Sequence, residues 1–76
     1  MRFERITFDP AVLGGRACIR GLRISVALVL NLVANGMGAA DIVAAYPDLD
    51  EADVAEALRY AAWLADERVE PLDLAA

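Results

Sequence analysis

A chain of 76 residues with 59% hydrophobic side chains, one cysteine, no histidine and a net charge of −5 is bounded before any motif is read. A domain of this size buries only about 60% of the surface that its unfolded chain exposes, so residues 1–76 read as a single domain with one core. No stretch reaches the ~18 apolar residues of a membrane span and the opening MRFERITF lacks the apolar core of a secretory signal, while one cysteine without histidine excludes an internal disulfide and a thiolate or imidazole metal centre. The chain reads as a cytoplasmic protein with no cofactor.

Taken in order, RFERITFDP alternates with Ile6 and Phe8 on one side of Thr7 and reads as a short strand or arm closed by Asp9-Pro10. Gly14-Gly15 breaks regular structure, and CIRGLRI reads as two extended pieces about a turn at Arg20-Gly21. These first 24 residues hold Arg2, Arg5, Arg16, Arg20 and Arg23 against Glu4 and Asp9, a local charge of +3, whereas residues 25–76 carry −8. An anionic partner therefore meets the N-terminal third first. The chain has no lysine, and arginine suits planar, bidentate contacts with carboxylate or phosphate.

Ser25 is a good N-cap for a helix over VALVLNLVAN, and Asn35-Gly36 supplies its stop. Apolar residues run almost all the way round that helix, which marks a central element covered on several sides or paired with another subunit. After the corner Gly36-Met37-Gly38, a short helix over residues 39–45 puts Ile42, Val43 and Tyr46 on one face and stops before Pro47. Asp50 caps a third helix with Asp53 three positions on, a relative of the capping box. That helix runs to about Asp66, with Val54, Leu58, Ala61 and Ala65 as its apolar stripe and Ala57 and Leu64 on the flank. Trp63 falls opposite the stripe, near Tyr60 and Glu67. The two aromatics read as interface anchors or as a cover for the N-terminal strand. Residues 68–76 form a tail with Pro71, Leu72 and Leu74 that suits extension along a partner.

The expected fold is mainly α: a trihelical, helix-turn-helix (homeodomain-like) core over residues 25–67, with an N-terminal strand or hairpin arm and Gly/Arg loop over residues 1–24. In a helix-turn-helix the second helix of the pair enters the DNA major groove. Here that helix would lead with Asp50, Glu51, Asp53 and Glu56, which a polyanion repels; these acids read as capping groups and a solvated face. A DNA contact falls instead to Arg2, Arg5, Arg16, Arg20 or Arg23. No base, nucleophile or phosphate loop accompanies the acids, so an enzyme is not expected. Cys18 has no histidine to activate it and reads as a small buried hydrophobe.

The run LGGRACIRGLRISVALVLNLVANGM, continued in front by ITFDPAVLGG and behind by DIVAAYPDLDEADVAEALRYAA, resembles a family catalogued as domain of unknown function 433, over about Arg5 to Ala62. Members often read LGGKPCIRGTRIPV; this chain differs at Arg16, Ala17 and Leu22. The resemblance implies a helix-turn-helix-like domain encoded beside a PIN-like ribonuclease and acting as the antitoxin of a VapBC-like pair, with operator DNA as a second target and a dimer as the working form. On that reading the glycines fold the backbone over the start of the central helix, Cys18 and Ile19 fill the space beneath, and Arg16, Arg20 and Arg23 are held outward toward a partner. The competing assignment has these three arginines pair with the ten acids of the helical part. A stand-alone DNA-binding regulator and a small structural dimer remain as alternatives in function.

Overall fold

Short-range signals lay out the chain in the computed structural model, which describes residues 2–67. Its elements are β1 (Ile6–Thr7), a single 3-10 turn (Leu13–Gly15), β2 (Cys18–Ile19), α1 (Val26–Ala34), α2 (Ala39–Ala45) and α3 (Glu51–Glu67). The Ser25 hydroxyl accepts from the Leu28 amide at 3.0 Å and starts α1. At its other end the Gly36 amide donates to Val33 and the Met37 amide to Leu32, at 2.9 and 3.1 Å, with Gly36 at φ 97°. That 5→2 and 6→1 pair is a Schellman closure, and it needs the left-handed conformation that glycine adopts without strain. Nothing lies within 4 Å of a Cβ built on Gly36, so Gly36→Ala isolates the backbone term. A loss of about 1 kcal/mol is expected in urea unfolding, and an unchanged midpoint would show that this closure does not need glycine.

β1 and β2 pair antiparallel, Ile6 opposite Ile19 and Thr7 opposite Cys18, and Cys18 is bridged in turn to Ser25. Between those two pairings the chain turns tightly at Arg20-Gly21: the Leu22 amide donates to the Ile19 carbonyl at 2.7 Å, and φ is 45° at Arg20 and 73° at Gly21. Two successive positive φ values give a type I′ turn, whose twist matches the flanking extended pieces. The outcome is a mainly helical, three-helix domain with a small N-terminal antiparallel sheet, as the sequence led one to expect. Its core joins Ile6 and Ile19 from the sheet to Val26 and Val29 of α1, Ile42 of α2, Leu49, and Val54 and Ala57 of α3. Cys18 is buried at 1% exposure and unpaired.

Two expectations about faces are corrected. Of the stripe expected through Val54, Leu58, Ala61 and Ala65, Val54 is buried in the core and Ala61 is half-buried, but Leu58 is 41% exposed and Ala65 is exposed, so the stripe as a whole does not face the core. The inward face is rotated toward Asp53, Ala57, Tyr60 and Leu64, at steps of four, three and four residues. Phe8 also departs from Ile6: Ile6 is buried, whereas Phe8 is 59% exposed beyond the end of β1. Residues 68–76, the expected tail, lie outside the described residues. Among the described residues no helix is long and apolar enough to cross a membrane.

Candidate functional site

The start of α3 is where the charged half of the molecule meets the basic half. Asp50 and Asp53 form a reciprocal box: the Asp53 amide donates to Asp50 Oδ1 and the Asp50 amide to Asp53 Oδ2, both at 2.9 Å. Asp53 is fully buried. Burial of a carboxylate is strongly unfavourable unless every oxygen is met, and here two arginines meet them. Arg20 donates from Nε to Oδ1 at 3.0 Å and from Nη2 to Oδ2 at 2.9 Å, a bidentate fork, and its Nη2 also reaches the Asp48 carbonyl at 2.7 Å. Arg5 Nη1 donates to Asp53 Oδ1 at 2.8 Å and to Asp50 Oδ1 at 3.0 Å, while its own amide donates to Glu56 Oε2 at 2.6 Å.

This clasp joins β1, the type I′ turn and α3 through a single side chain. It also accounts for a non-glycine residue at φ 45°: a left-handed arginine costs ~1 kcal/mol, and the turn that imposes it aims the guanidinium at Asp53. Burial alone pushes the Asp53 carboxyl up; the hydrogen bonds from Arg20, the Asp50 amide and Arg5 outweigh it and hold the pKa at about 2, below the ordinary 3.8. The folded value is the depressed one, so the stabilisation is complete above pH ~4 and is lost as pH falls toward 2. Urea midpoints should accordingly drop between pH 4 and 2.5, with a smaller drop in Asp53→Asn; equal drops in both chains would remove Asp53 from the acid transition.

The seven residues singled out in the sequence therefore separate. Arg5 and Arg20 are turned onto the acids rather than held outward, although their side chains stay 35% and 39% exposed. Asp53, read as a capping group on a solvated acidic face, is instead the most enclosed charge among the described residues. Arg2, Arg16 and Arg23 are exposed, and none forms a side-chain hydrogen bond or ion pair among the described residues. Arg16 and Arg23 each stand two residues from the bridged pair Cys18 and Ser25, so both flank the start of α1. Tyr60 and Trp63 act as a cover for the N-terminal arm: Phe3 meets Tyr60 edge-on with ring centres 5.3 Å apart and lies 5.6 Å from Trp63, and Phe8 reaches Tyr60 at 6.3 Å. Both aromatics remain half-buried.

Two features went unread in the sequence. One is Asp53 as a hub, whose only sequence signal is that it continues the spacing Ala57, Tyr60, Leu64. The other is an apolar groove of about 350 Å³ between the start of α1 and the later turns of α3, walled by Ala17, Val26, Leu30, Tyr60 and Leu64 with Arg16 on its rim. Among the described residues there is no group of three or more acids, cysteines or histidines placed to hold a metal ion.

In class, this is a small three-helix domain with an arginine-clasped third helix and a basic loop flanking the first. The family model described as a protein of unknown function (DUF433) matches residues 6–61, most of the chain, and the chain belongs to that family. No curated protein and no solved structure matches it.

Proposed function

We propose that this protein is a non-enzymatic antitoxin that binds and neutralises a PIN-like ribonuclease, working as a dimer and regulating its own operon with that partner. The observation that carries the proposal is the division among its arginines. Arg5 and Arg20 serve Asp53, whereas Arg16 and Arg23, fixed on either side of the Cys18–Ser25 bridge, present guanidinium groups that no described residue engages. PIN-like nucleases gather carboxylates to hold a metal ion. A rigidly mounted arginine is the group that competes there, since it forms charge-assisted, bidentate bonds to carboxylate and displaces metal or RNA phosphate.

Charge at the other candidate surface supports this over DNA reading by α3. That helix opens with exposed Asp50 and Glu51, and the nearby cations Arg5 and Arg20 are already committed to carboxylates. Phosphate approach is disfavoured there. The deciding experiment mixes this chain with the PIN-like protein encoded beside its gene and follows complex formation and RNA cleavage together. A stoichiometric complex with cleavage suppressed supports the antitoxin. Absence of a complex with cleavage intact overturns it, and a steep loss of operator binding between low and moderate salt would then favour the stand-alone regulator.

A further inference from the structure

Among the described residues two other than glycine hold left-handed backbone, Arg20 at φ 45° and Leu13 at φ 49°. Such a conformation is strained for a side chain with a Cβ, and a fold keeps it where something gained offsets it. At Arg20 the gain is the bidentate fork on Asp53. At Leu13 no such return exists within the domain: the side chain is 36% exposed and stands outside both the core cluster and the half-buried residues packed against it. Gly14 and Gly15 follow at φ 70° and 89°, so a glycine at position 13 would make the same turn without strain. Phe8 and Leu58, also large, apolar and exposed, carry no left-handed φ.

The loop that holds Leu13 is tied at both ends. The Ala11 amide donates to Asp9 Oδ1 at 2.9 Å and the Val12 amide to the Asp9 carbonyl at 2.8 Å; the Gly15 amide then donates to the Val12 carbonyl at 3.0 Å and the Arg16 amide to the Leu13 carbonyl at 3.4 Å. Pro10 closes the loop from across it, its Cα 3.7 Å from where a Cβ on Gly15 would stand. Leu13 and Arg16 thus share one hydrogen-bonded turn, and both are exposed. Pro10, Ala11 and Gly14 beside them are exposed as well, and no acid occurs in the chain between Asp9 and Asp41. This is an apolar tip with one cation, set in place before any contact. Its complement is an apolar pocket beside carboxylates.

We propose that Leu13 is the apolar anchor of the ribonuclease contact, seated in a pocket next to the carboxylates that Arg16 engages. The assignment rests on the antitoxin reading and deepens it: Arg16 supplies the charge, and Leu13 the desolvated centre. An aliphatic side chain in the same turn excludes water from the arginine-carboxylate bonds, which strengthens them. The strain at Leu13 is then offset in the complex rather than in the free protein.

The test compares the full-length parent chain with L13G and L13N against the PIN-like protein encoded beside its gene, reading urea midpoints together with inhibition of RNA cleavage. Glycine removes the side chain and the strain at once, whereas asparagine accepts left-handed backbone and keeps a branched side chain that is polar. The L13G midpoint is expected at or above that of the parent, because relief of strain offsets the loss of a partly exposed side chain. Both variants are expected to inhibit about 10-fold less well, the loss typical of one truncated anchor. A lower midpoint in L13G would show that the side chain is kept for the fold and overturns the anchor. Full potency in either variant overturns it too, and potency lost only in L13G would assign the effect to loop stiffness. A parent chain that neither binds nor inhibits removes the antitoxin reading and the anchor with it; a parent that inhibits no better than L13N removes the anchor alone.

Discussion

Arg20→Met is expected to lower stability by about 3 kcal/mol, a large share of what so small a domain has to lose, read from urea midpoints at pH 7. Methionine keeps the left-handed strain of the turn and most of the apolar stem, so the comparison isolates the guanidinium. What it leaves behind is a carboxylate of 0% exposure that has lost two of its four donors, keeping only Arg5 and the Asp50 amide. Breaking one side of a buried pair costs about 3–5 kcal/mol because a charge is stranded; Arg20 is 39% exposed and so rehydrates, which puts the expected value at the lower end. The same logic makes the double variant R20M/D53L less damaged than R20M, since removing both charges removes the stranded one, and Arg5 retains Asp50. A single variant within about 1 kcal/mol of the parent, or a double variant worse than the single, would mean that the clasp is not what joins the sheet to α3.

Why the clasp escaped the sequence while the caps did not is a matter of range. Ser25, Gly36 and the Asp50–Asp53 box act within six residues, and residue type alone is enough to place them. Arg5 and Arg20 reach Asp53 across 48 and 33 positions, and nothing local reports such a contact. The omission propagated. An apolar wheel scores Asp53 as an outward residue, so it turns the calculated stripe of α3 away from Asp53 and toward Leu58, which is exposed. Restoring Asp53 to the inward face brings Ala57, Tyr60 and Leu64 with it, and explains why Tyr60 and Trp63 end over Phe3 rather than opposite the core. The turn at Arg20-Gly21 was readable as a turn; the direction of its arginine was not, because φ at that position decides where the side chain goes.

The clasp also changes which substitutions can test partner binding. Any variant of Arg20 confounds folding with recognition, so the informative chain is R16E/R23E, which touches only arginines without partners among the described residues. Its unfolding midpoint should stay within about 0.5 kcal/mol of the parent, because exposed charges away from caps and buried pairs contribute little. Inhibition of a PIN-like ribonuclease should fall about 100-fold or more. Each reversal turns an arginine-carboxylate contact into a like-charge one, and two losses of only ~1.4 kcal/mol each already multiply to that factor. Unchanged inhibition in a folded R16E/R23E would sink the arginine mechanism whether or not a complex forms. Loss of inhibition in R20M but not in R16E/R23E would assign recognition to the shape that the clasp maintains, with the exposed charges as bystanders.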